Sequence, residues 1–494
     1  MIALKELLNH IDILDTLHPR EQIISGISYH SQKCSEGHLF VCITGYQTDG
    51  HKYLQQAISN GATAAIVERF QEDISIPQFR VANSRIALAQ LGAAYYDQPA
   101  SKLKMIGITA TNGKTSTSYM ANAMLENAGL KTGLIGTVVI KIDDHSIPSE
   151  LTTPESLDLQ HYLKQMVDAN VSHVCMEVSS AALETHRVET IDYDIVTFNN
   201  LSREHIDSHG SFERYFAAKA SLIRNAGRHS IAVLNLDCPY SASLQHETNA
   251  QVITFGLKNK DGFIRCSNLD LSTGRGSFVY EIVKPFHTDK VQLEPMKFEA
   301  QLSVPGLHSV YNSMVAITIA LLNGVPVDVI QRTLSSFPGV ERRFEFIYED
   351  SCMIIDDHFA NPGNINVTME TIKFMNYNNF HLLYAIRGNR GPTVNEENAR
   401  AIAEWMHKLE RNELIATTSV SHVTAKDKVS QEELDVFMKV MNEANIKVQL
   451  YDELPEAIAA SLEQAEQGDL VLLAGCQGMD EGGRIALDQL KSGN

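Results

Sequence analysis

The sequence predicts a multidomain α/β protein, and three of its features lead to that class. Its 494 residues exceed what one hydrophobic core normally holds, and the usual size of a domain suggests about three of them. The apolar run MIGITA, a buried strand, leads into a glycine-containing loop and then into a helix. Further apolar runs alternate with helical segments, which is typical of a parallel sheet with crossover helices.

The first part of the chain forms a small α/β unit of its own. Two apolar runs, HLFVCITG and TAAIVE, lie on either side of the helical stretch KYLQQAISNGA, whose end is marked by Gly61. The composition changes at YYDQPASKLK, where the central part begins. We therefore predict three domains, over residues 1–98, 99–337 and 338–494.

The central and last domains continue the alternation of strands and helices. The central strands are predicted in MIGITA, KTGLIGTVV, SHVCMEVSS, DIVTFNNLS and HSIAVLNLD. The last domain begins near SSFPGVERRFE, with strands in CMIIDD, FHLLYAI and DLVLLAG and helices in NARAIAEWMHKL and QEELDVFMKVMNEA.

The composition excludes several classes of protein. The formal net charge of −19, with no concentration of basic residues, argues against a nucleic-acid partner. Seven scattered cysteines without a C-x-x-C pair suggest neither a disulfide framework nor a zinc site. No run approaches the ~20 apolar residues of a membrane span, and the opening MIALKELLNHIDIL is no secretory signal. We expect a cytoplasmic monomer without a membrane partner.

The loop GITATNGKTSTSYM, residues 107–120, is an irregular phosphate-binding loop. A regular P-loop reads G-x-x-x-x-G-K-[ST], but the position five before Gly113 is Ile108, and Gly107 lies one residue too early. A buried strand that ends in a glycine turn and opens a helix still brings backbone donors and a positive helix end together. This predicts a nucleotide site; the alternative is a polar turn with an exposed lysine.

Two further polar residues are expected at the same edge of the sheet. Glu177 ends one predicted strand and His205 follows the next, and ligands collect at the carboxyl ends of parallel strands. With the Thr115 hydroxyl, they form a plausible ligand set for Mg²⁺. Considered separately, the glutamate could be a paired acid and the histidine a surface residue.

The ordered motifs TATNGKTS, LTTPE, MEVSS, FNNLSREHIDSHGSFERYFAAK and ERRFE resemble those of the Mur ligases. The nearest type is MurE, which adds the third amino acid to a UDP-linked muramoyl dipeptide. The resemblance implies an N-terminal domain for the UDP substrate, a central P-loop ATPase domain and a Rossmann-like C-terminal domain for the amino acid. The irregular loop, T-G-T-N-G-K-T, is a family trait, but Ala110 replaces its first glycine. If that position needs a positive φ, alanine costs about 1–2 kcal/mol; otherwise nothing is lost.

The resemblance also implies a reaction. ATP phosphorylates a carboxylate, and an amine attacks the acyl phosphate to form an amide and release phosphate. Lys114 would bind the terminal phosphates, and Thr115, Glu177 and His205 would hold Mg²⁺. Lys219 aligns with a family lysine that CO₂ converts into a carbamate, an anion able to orient a second Mg²⁺. The alternative is a lysine on a helix surface.

The remaining site residues follow from the same resemblance. The nucleotide would contact Thr111, Asn112, Gly113, Lys114, Thr115, Ser116, Asn312, Arg343 and Asp357. The UDP-linked substrate would contact Ser31, Thr152, Thr153, Ser179 and Arg187. Arg387 and Arg390 suit a substrate carboxylate because a guanidinium binds it in a bidentate way, although both could be ordinary surface arginines.

Several departures from the family pattern leave the substrates open. D-S-R is replaced by His30-Ser31-Gln32, an alanine at 181 removes a family histidine, and the D-N-P-R and K-G-H-E motifs are missing from the last domain. Three hypotheses follow: a ligase acting on a UDP-muramoyl peptide, the same reaction on another carboxylate in a specialised peptide or cofactor pathway, and a non-catalytic ATP-binding partner. The intact ATPase residues argue against the third.

Overall fold

The computed structural model describes residues 1–45, 48–202, 211–288, 291–339 and 344–492. The chain divides into two compact units. The first contains Met1–Leu201, His205–Phe263 and Val315–Pro326, and the second contains Ser202–Glu204, Ile264–Met314 and Val327–Asn494.

The first unit opens with a five-stranded sheet. Its elements are β1 (Ile2–Ala3), α1 (Leu4–Leu8), β2 (Asp15–Leu17), β3 (Ile23–Ile24), β4 (Gly26–Ser28), β5 (His38–Val41), α2 (Leu54–Ser59), β6 (Ala62–Val67), β7 (Gln78–Arg80) and α3 (Ser84–Tyr95). The sheet order is β2-β7-β6-β5-β4, and β1 pairs with β3. Successive residues of β5 enter different cores, Leu39 and Val41 one and Phe40 the other, because side chains alternate across a strand.

The same unit continues into a larger sheet. Its strands are β8 (Lys104–Thr109), β9 (Thr132–Ile135), β10 (Val139–Ile142), β11 (His145–Pro148), β12 (His173–Glu177), β13 (Ile195–Phe198), β14 (Ile231–Asn235) and β15 (Gln251–Gly256). Its helices are α4 (Lys114–Asn127), α5 (Ser156–Asp168), α6 (Ser180–Glu184), α7 (Phe212–Arg224) and α8 (Pro239–Ser243). Within this unit the order is β11-β10-β9-β12-β8-β13-β14-β15.

Strand β8 lies between β12 and β13, and all three run parallel. In register, Glu177 pairs with Ile108 and Phe198 pairs with Thr109, so the three strands end side by side. The loop after β8 and the carboxylate that ends β12 therefore share one edge of the sheet with the first residues after β13, whereas His205, also predicted there, lies outside the described residues.

In its described residues, the second unit holds three groups of paired strands, of which the smallest joins Phe286–His287 to Gln292–Leu293. Its strands are β16 (Ile264–Asp270), β17 (Arg275–Ile282), β18 (Phe286–His287), β19 (Gln292–Leu293), β20 (Met296–Pro305), β21 (Glu345–Glu349), β22 (Met353–Asp357), β23 (Phe380–Ala385), β24 (Glu413–Thr417), β25 (Lys447–Tyr451) and β26 (Leu470–Gly475). Helix α9 (Leu307–Leu322) is divided between the units, and α10 (Val327–Ser336), α11 (Pro362–Phe374), α12 (Pro392–Lys408), α13 (Gln431–Glu443), α14 (Leu454–Gln464) and α15 (Gly482–Ser492) follow. Strands β16, β17 and β20 are antiparallel neighbours, whereas β22-β26-β23-β24-β25 are parallel and β21 is an antiparallel edge.

The predicted apolar runs of the central and last domains each contain a strand, with one difference. The run KTGLIGTVV was predicted as a single strand, but it divides into β9 and the antiparallel β10, with a turn at Gly136.

Candidate active site

The phosphate-type loop, residues 110–113, joins β8 to helix α4. Gly113 precedes the helix with φ +88°, a left-handed conformation that favours glycine. The first N–H groups of a helix have no acceptor within it, and they lie at the positive end of its dipole. The start of α4, at Lys114, Thr115 and Ser116, is therefore suited to an anion such as a phosphate.

The conformation of Ala110 decides the question left open by the sequence. This buried residue is not among the non-glycine residues with positive φ in the described part of the chain. The alanine therefore occupies its position without the cost of a left-handed conformation.

Substitutions at Ala110 and Gly113 should differ in their effect on ATP binding. We expect Ala110→Gly to leave ATP affinity within about twofold and to lower the free energy of unfolding by about 0.4–1 kcal/mol, because glycine enlarges the unfolded ensemble. Gly113→Ala should cost about 1–2 kcal/mol and weaken ATP binding, because φ is positive there. Urea unfolding and ATP titration measure both effects. Tighter ATP binding by Ala110→Gly would contradict the conclusion that Ala110 has no positive φ.

Asn200, just after β13, holds the loop in place. Its side-chain oxygen accepts from the Asn112 N–H at 3.0 Å, and its amide nitrogen donates to the Asn112 carbonyl at 2.8 Å. Its own carbonyl accepts from the Thr111 N–H at 3.0 Å. The N–H groups of Thr111 and Asn112 thus help to shape the loop. The sequence analysis did not select Asn200, although it follows a strand at the predicted edge.

Two lysine ammonium groups meet at one carbonyl of the loop. Lys114 Nζ donates to the Ala110 carbonyl at 3.0 Å, and Lys219 Nζ donates to the same oxygen at 2.7 Å. Lys219 is only 2% exposed, and its ammonium lies 4.9 Å from the centre of the Tyr215 ring. It is therefore not a helix-surface lysine, which was the alternative reading.

Glu177 is the centre of a buried hydrogen-bond network. Its carboxylate accepts from the Thr115 hydroxyl, the Thr137 hydroxyl and the Thr137 N–H, each at 3.0 Å, and the residue is fully buried. The Thr137 hydroxyl in turn lies 3.1 Å from that of Thr152. The network thus joins the start of α4 to the LTTPE segment. Thr137 was missed by the sequence analysis, although it directly follows a strand and a glycine.

Gly136 makes room for this carboxylate. A Cβ atom at residue 136 would lie 2.3 Å from Glu177 Oε1, closer than real side chains approach. A residue with a side chain could stand here only if the carboxylate moved.

We expect Gly136→Ala to displace the Glu177 carboxylate and to destabilise the protein by about 1–3 kcal/mol, as overpacking does. ATP-dependent activity should fall with it. Gly92→Ala is the matched control. Gly92 lies in helix α3, and a Cβ atom there would meet only Leu157 and Gln160 of helix α5, at ordinary distances of 3.4 Å or more. Thermal unfolding and turnover of both variants check the prediction, and equal behaviour of the two would contradict it.

The residues predicted for the UDP-linked substrate lie beside this network. The Thr153 hydroxyl donates to the Glu177 carbonyl at 2.8 Å and accepts from the Ser179 N–H at 3.1 Å. Arg187 donates to the Thr153 carbonyl at 3.0 Å and forms an ion pair with Glu155 at 2.9 Å. Four of the five predicted substrate residues are thus brought together. Glu155, whose carboxylate pairs with Arg187 and so orients its side chain, was not selected from the sequence.

The other predicted residues are placed as follows. The Ser31 hydroxyl donates to the Gln56 side chain at 2.8 Å. In the second unit, Asn312 is buried and its amide nitrogen has no hydrogen-bond partner, while Asp357 accepts from the Phe344 N–H at 2.9 Å. Arg390 lies 3.7 Å from Asp427. His205 and Arg343 lie outside the described residues.

Two oxygen atoms beside the phosphate loop are placed as neighbouring ligands of Mg²⁺ would be. Thr115 Oγ1 and Glu177 Oε2 are 3.0 Å apart, about the separation of neighbouring ligands around Mg²⁺ with bonds of about 2.1 Å. These two groups fit the ion. Within the ranges that the structure describes, no group of three or more His, Cys, Asp and Glu side chains could hold a metal, and no helix is long and apolar enough to cross a membrane.

Comparisons with known proteins agree with this fold. Residues 108–320 match the Mur ligase middle domain, residues 342–477 the Mur ligase, glutamate ligase domain, and residues 23–96 the Mur ligase family, catalytic domain. The UDP-N-acetylmuramoyl-L-alanyl-D-glutamate–2,6-diaminopimelate ligase of Caldanaerobacter subterraneus subsp. tengcongensis is 34% identical over 454 residues, which cover 92% of this chain and 89% of that protein.

Two solved structures share the fold. One is of a UDP-N-acetylmuramoyl-L-alanyl-D-glutamate–2,6-diaminopimelate ligase, with a TM-score of 0.69, 21% identity and coverage of 95% of this chain and 96% of that one. The other is MurF ligase from Thermotoga maritima in complex with ADP, with a TM-score of 0.62, 18% identity and coverage of 94% and 97%.

The fold and the site together define an ATP-dependent carbon–nitrogen ligase. The chain belongs to the Mur ligase family. The predicted family and α/β class are therefore confirmed.

Proposed function

We propose that this ligase joins an amino acid to a UDP-linked muramoyl peptide, a precursor of the cell wall, at the expense of ATP. The observation that carries the proposal is the network through Glu177, which connects Thr115 at the phosphate loop to Thr152 and Thr153. A ligase that phosphorylates a carboxylate must hold ATP and the substrate carboxylate next to each other. The buried Glu177 carboxylate fixes the position of the phosphate loop relative to the proposed substrate residues.

The chain's own residues divide the reaction into two steps. The N–H groups at the start of α4 and the Lys114 ammonium hold the phosphates while a substrate carboxylate oxygen attacks the terminal phosphorus and ADP leaves. The amine then attacks the acyl carbon, and inorganic phosphate leaves as the amide forms and the amine gives up a proton. Gly113 and Ser116 complete the loop, with Thr111 and Asn112 shaped by Asn200.

Mg²⁺, when bound, neutralises phosphate charge, and Thr115, Glu177 and His205 would hold it. We also propose that CO₂ adds to Lys219 to give a carbamate. The burial of its side chain beside the phosphate loop supports this, because a carbamate must lie close to the phosphates to orient a metal ion there.

The remaining contacts are assigned in groups. Asn312, Arg343 and Asp357 contact the nucleotide, and the orphan amide nitrogen of Asn312 supports its part in this. Ser31, Thr152, Thr153, Ser179 and Arg187 contact the UDP-linked acceptor, and Arg387 or Arg390 binds a carboxylate of the amino acid. In this scheme residues 1–98 bind the UDP group, 99–337 bind ATP and 338–494 bind the amino acid.

One assay tests the proposal. Purified protein is mixed with ATP, Mg²⁺ and a panel of amino acids that includes 2,6-diaminopimelate and lysine, with UDP-muramoyl dipeptide present or absent, and ADP release is followed. We expect turnover only when the UDP compound and one amino acid are both present. Turnover with another carboxylate in place of the UDP compound would identify a different acceptor, and ATP binding without turnover in every mixture would identify a non-catalytic partner.

A further inference from the structure

Tyr215, on helix α7, carries a buried hydroxyl group in an otherwise apolar surrounding. Its side chain is only 1% exposed and belongs to a hydrophobic core of the first unit. A phenylalanine would fill that core equally well, and burying a hydroxyl group costs free energy unless the group finds a partner. The Tyr215 hydroxyl donates to the hydroxyl oxygen of Thr111 at 3.2 Å. Its partner therefore lies in the phosphate loop, 104 residues earlier in the chain.

The backbone of Thr111 is held as well. Its N–H donates to the Asn200 carbonyl at 3.0 Å, and its carbonyl accepts from Lys114 Nζ at 3.1 Å. The residue as a whole is only 6% exposed. Thr111 is therefore held at its backbone from the end of β13 and from α4, and at its side chain from α7.

Helix α7 contacts two successive residues of the loop. Tyr215 and Lys219 are four residues apart, so they lie on the same face of the helix. Lys219 Nζ donates to the Ala110 carbonyl at 2.7 Å, and Tyr215 contacts the residue that follows. The Lys219 ammonium also lies 4.9 Å from the centre of the Tyr215 ring, which is within the range of a cation–π contact. The tyrosine thus contacts the lysine with its ring and the loop with its hydroxyl group.

The helix is a firm support for these contacts. Its first turn is capped by Ser211, whose hydroxyl oxygen accepts from the Arg214 N–H at 3.2 Å. Further along, Leu222 and Ile223 are buried in the same core as Tyr215. A side chain on a packed helix is held more precisely than one on a loop, so the tyrosine can fix the position of a loop residue.

The contact from Tyr215 does not depend on the chemical state of Lys219. A lysine ammonium has three N–H donors, whereas the nitrogen of the proposed carbamate has one and carries no positive charge. Carbamylation therefore changes the bond from Lys219 to Ala110, but the bond from Tyr215 to Thr111 does not include the lysine nitrogen. The tyrosine can hold the loop in both states of the lysine.

We propose that Tyr215 is a positioning residue for ATP and acts through Thr111. Its hydroxyl group orders the Thr111 side chain, and with it the backbone of the phosphate loop, before the nucleotide binds. The tyrosine itself does not touch the phosphates. Preorganisation of this kind lowers the cost of binding a ligand. The inference rests on the proposed function, in which this loop is the nucleotide site.

The test compares Tyr215→Phe with Tyr193→Phe in the full-length protein, by calorimetric titration with ADP and Mg²⁺. Both changes remove one hydroxyl group from a buried tyrosine of the same core. Tyr193 is the matched control, because it precedes β13 at the end of that strand opposite the loop, and its hydroxyl lies 3.8 Å from the Met176 sulfur. We expect Tyr215→Phe to raise the Kd for ADP about 3- to 10-fold, the loss of one neutral hydrogen bond, and Tyr193→Phe to change it by less than about twofold.

A double-mutant cycle with Thr111→Val tests the route. If the tyrosine acts through Thr111, Tyr215→Phe should weaken ADP binding in the wild-type background and have little further effect in the Thr111→Val background. An effect of the same size in both backgrounds would overturn the route through Thr111. Equal ADP binding by Tyr215→Phe and wild type would overturn the positioning role itself.

Steady-state kinetics separate positioning from a general loss of structure. With the acceptor and amino acid that give turnover, Tyr215→Phe should raise the KM for ATP about 3- to 10-fold and leave the other two KM values within about twofold. Equal rises in all three KM values would show a structural role only and overturn the proposal. If wild type binds ADP but no mixture gives turnover, the proposed function has failed, and the ADP titration still decides the role of Tyr215. If wild type binds no ADP, neither the proposed function nor this inference stands.

Discussion

Glu177→Gln is expected to lower kcat by about 10²–10³-fold while the protein stays folded, because it removes the negative charge at the centre of the site. Loss of one preorganised electrostatic contact in a buried site has effects of this order. The glutamine has nearly the same shape, but its NH₂ group faces the hydroxyl of Thr115 or Thr137, where an acceptor is needed. The mismatch should cost about 1–3 kcal/mol of stability.

Glu126→Gln is the matched control. Glu126 is also a glutamate of the first unit, and it accepts from the Thr132 hydroxyl at 2.8 Å and from Lys141, away from the loop. Steady-state ADP release and thermal unfolding should separate the two variants, with activity retained in the control. If Glu177→Gln kept near-normal kcat at saturating Mg²⁺ and ATP, the buried acid would be structural only, and the proposed magnesium site would have to lie elsewhere.

Lys219→Ala is expected to abolish detectable turnover, and added short carboxylates such as acetate or formate should restore part of it. The proposed carbamate is an anion on a long side chain, so a free carboxylate can occupy the space that the truncated side chain leaves. Lys219→Arg should remain inactive even with those additives, because a guanidinium keeps the positive charge and does not react with CO₂. If added carboxylates restore activity to Lys219→Ala but not to Lys219→Arg, the loss of activity comes from the missing negative charge and not from the missing packing of the side chain.

Lys164→Ala provides the control for this pair, since Lys164 is on helix α5 and pairs with Asp168 at the surface. A second readout is the response to CO₂. Activity of wild type should fall in buffer stripped of CO₂ and return when bicarbonate is added, whereas the variants should not respond. Full activity of Lys219→Ala or Lys219→Arg would remove the carbamate from the mechanism and leave the buried lysine as a cation of the phosphate loop.

Much of the fold could be predicted from the sequence because its strands are buried on both faces. MIGITA and DLVLLAG are continuous apolar runs, which only the interior of a parallel sheet accommodates, and each contains a strand, β8 and β26. The run KTGLIGTVV was harder, because its apolar pattern continues through the turn at Gly136. The residue at that turn has no side chain, and the Glu177 carboxylate, some 40 residues later in the chain, occupies the space that a side chain would need.

A charged residue that ends a strand could be selected from the sequence, but uncharged residues that position another side chain or a loop by hydrogen bonds were missed. Glu177 was selected because it ends a strand, whereas Thr137 and Asn200 also follow strands but carry uncharged side chains that resemble ordinary turn residues.

By itself, the sequence determined the α/β class, the irregular phosphate loop and the family, because strand burial, glycine placement and motif order are local properties of the chain. Tertiary structure alone decided that Ala110 occupies its position without strain, that Lys114 and Lys219 share one carbonyl, and that a side chain at residue 136 would meet the Glu177 carboxylate. Each of these depends on the distance between atoms far apart in the chain or on a backbone angle. Residue order does not specify such quantities until the strands are paired.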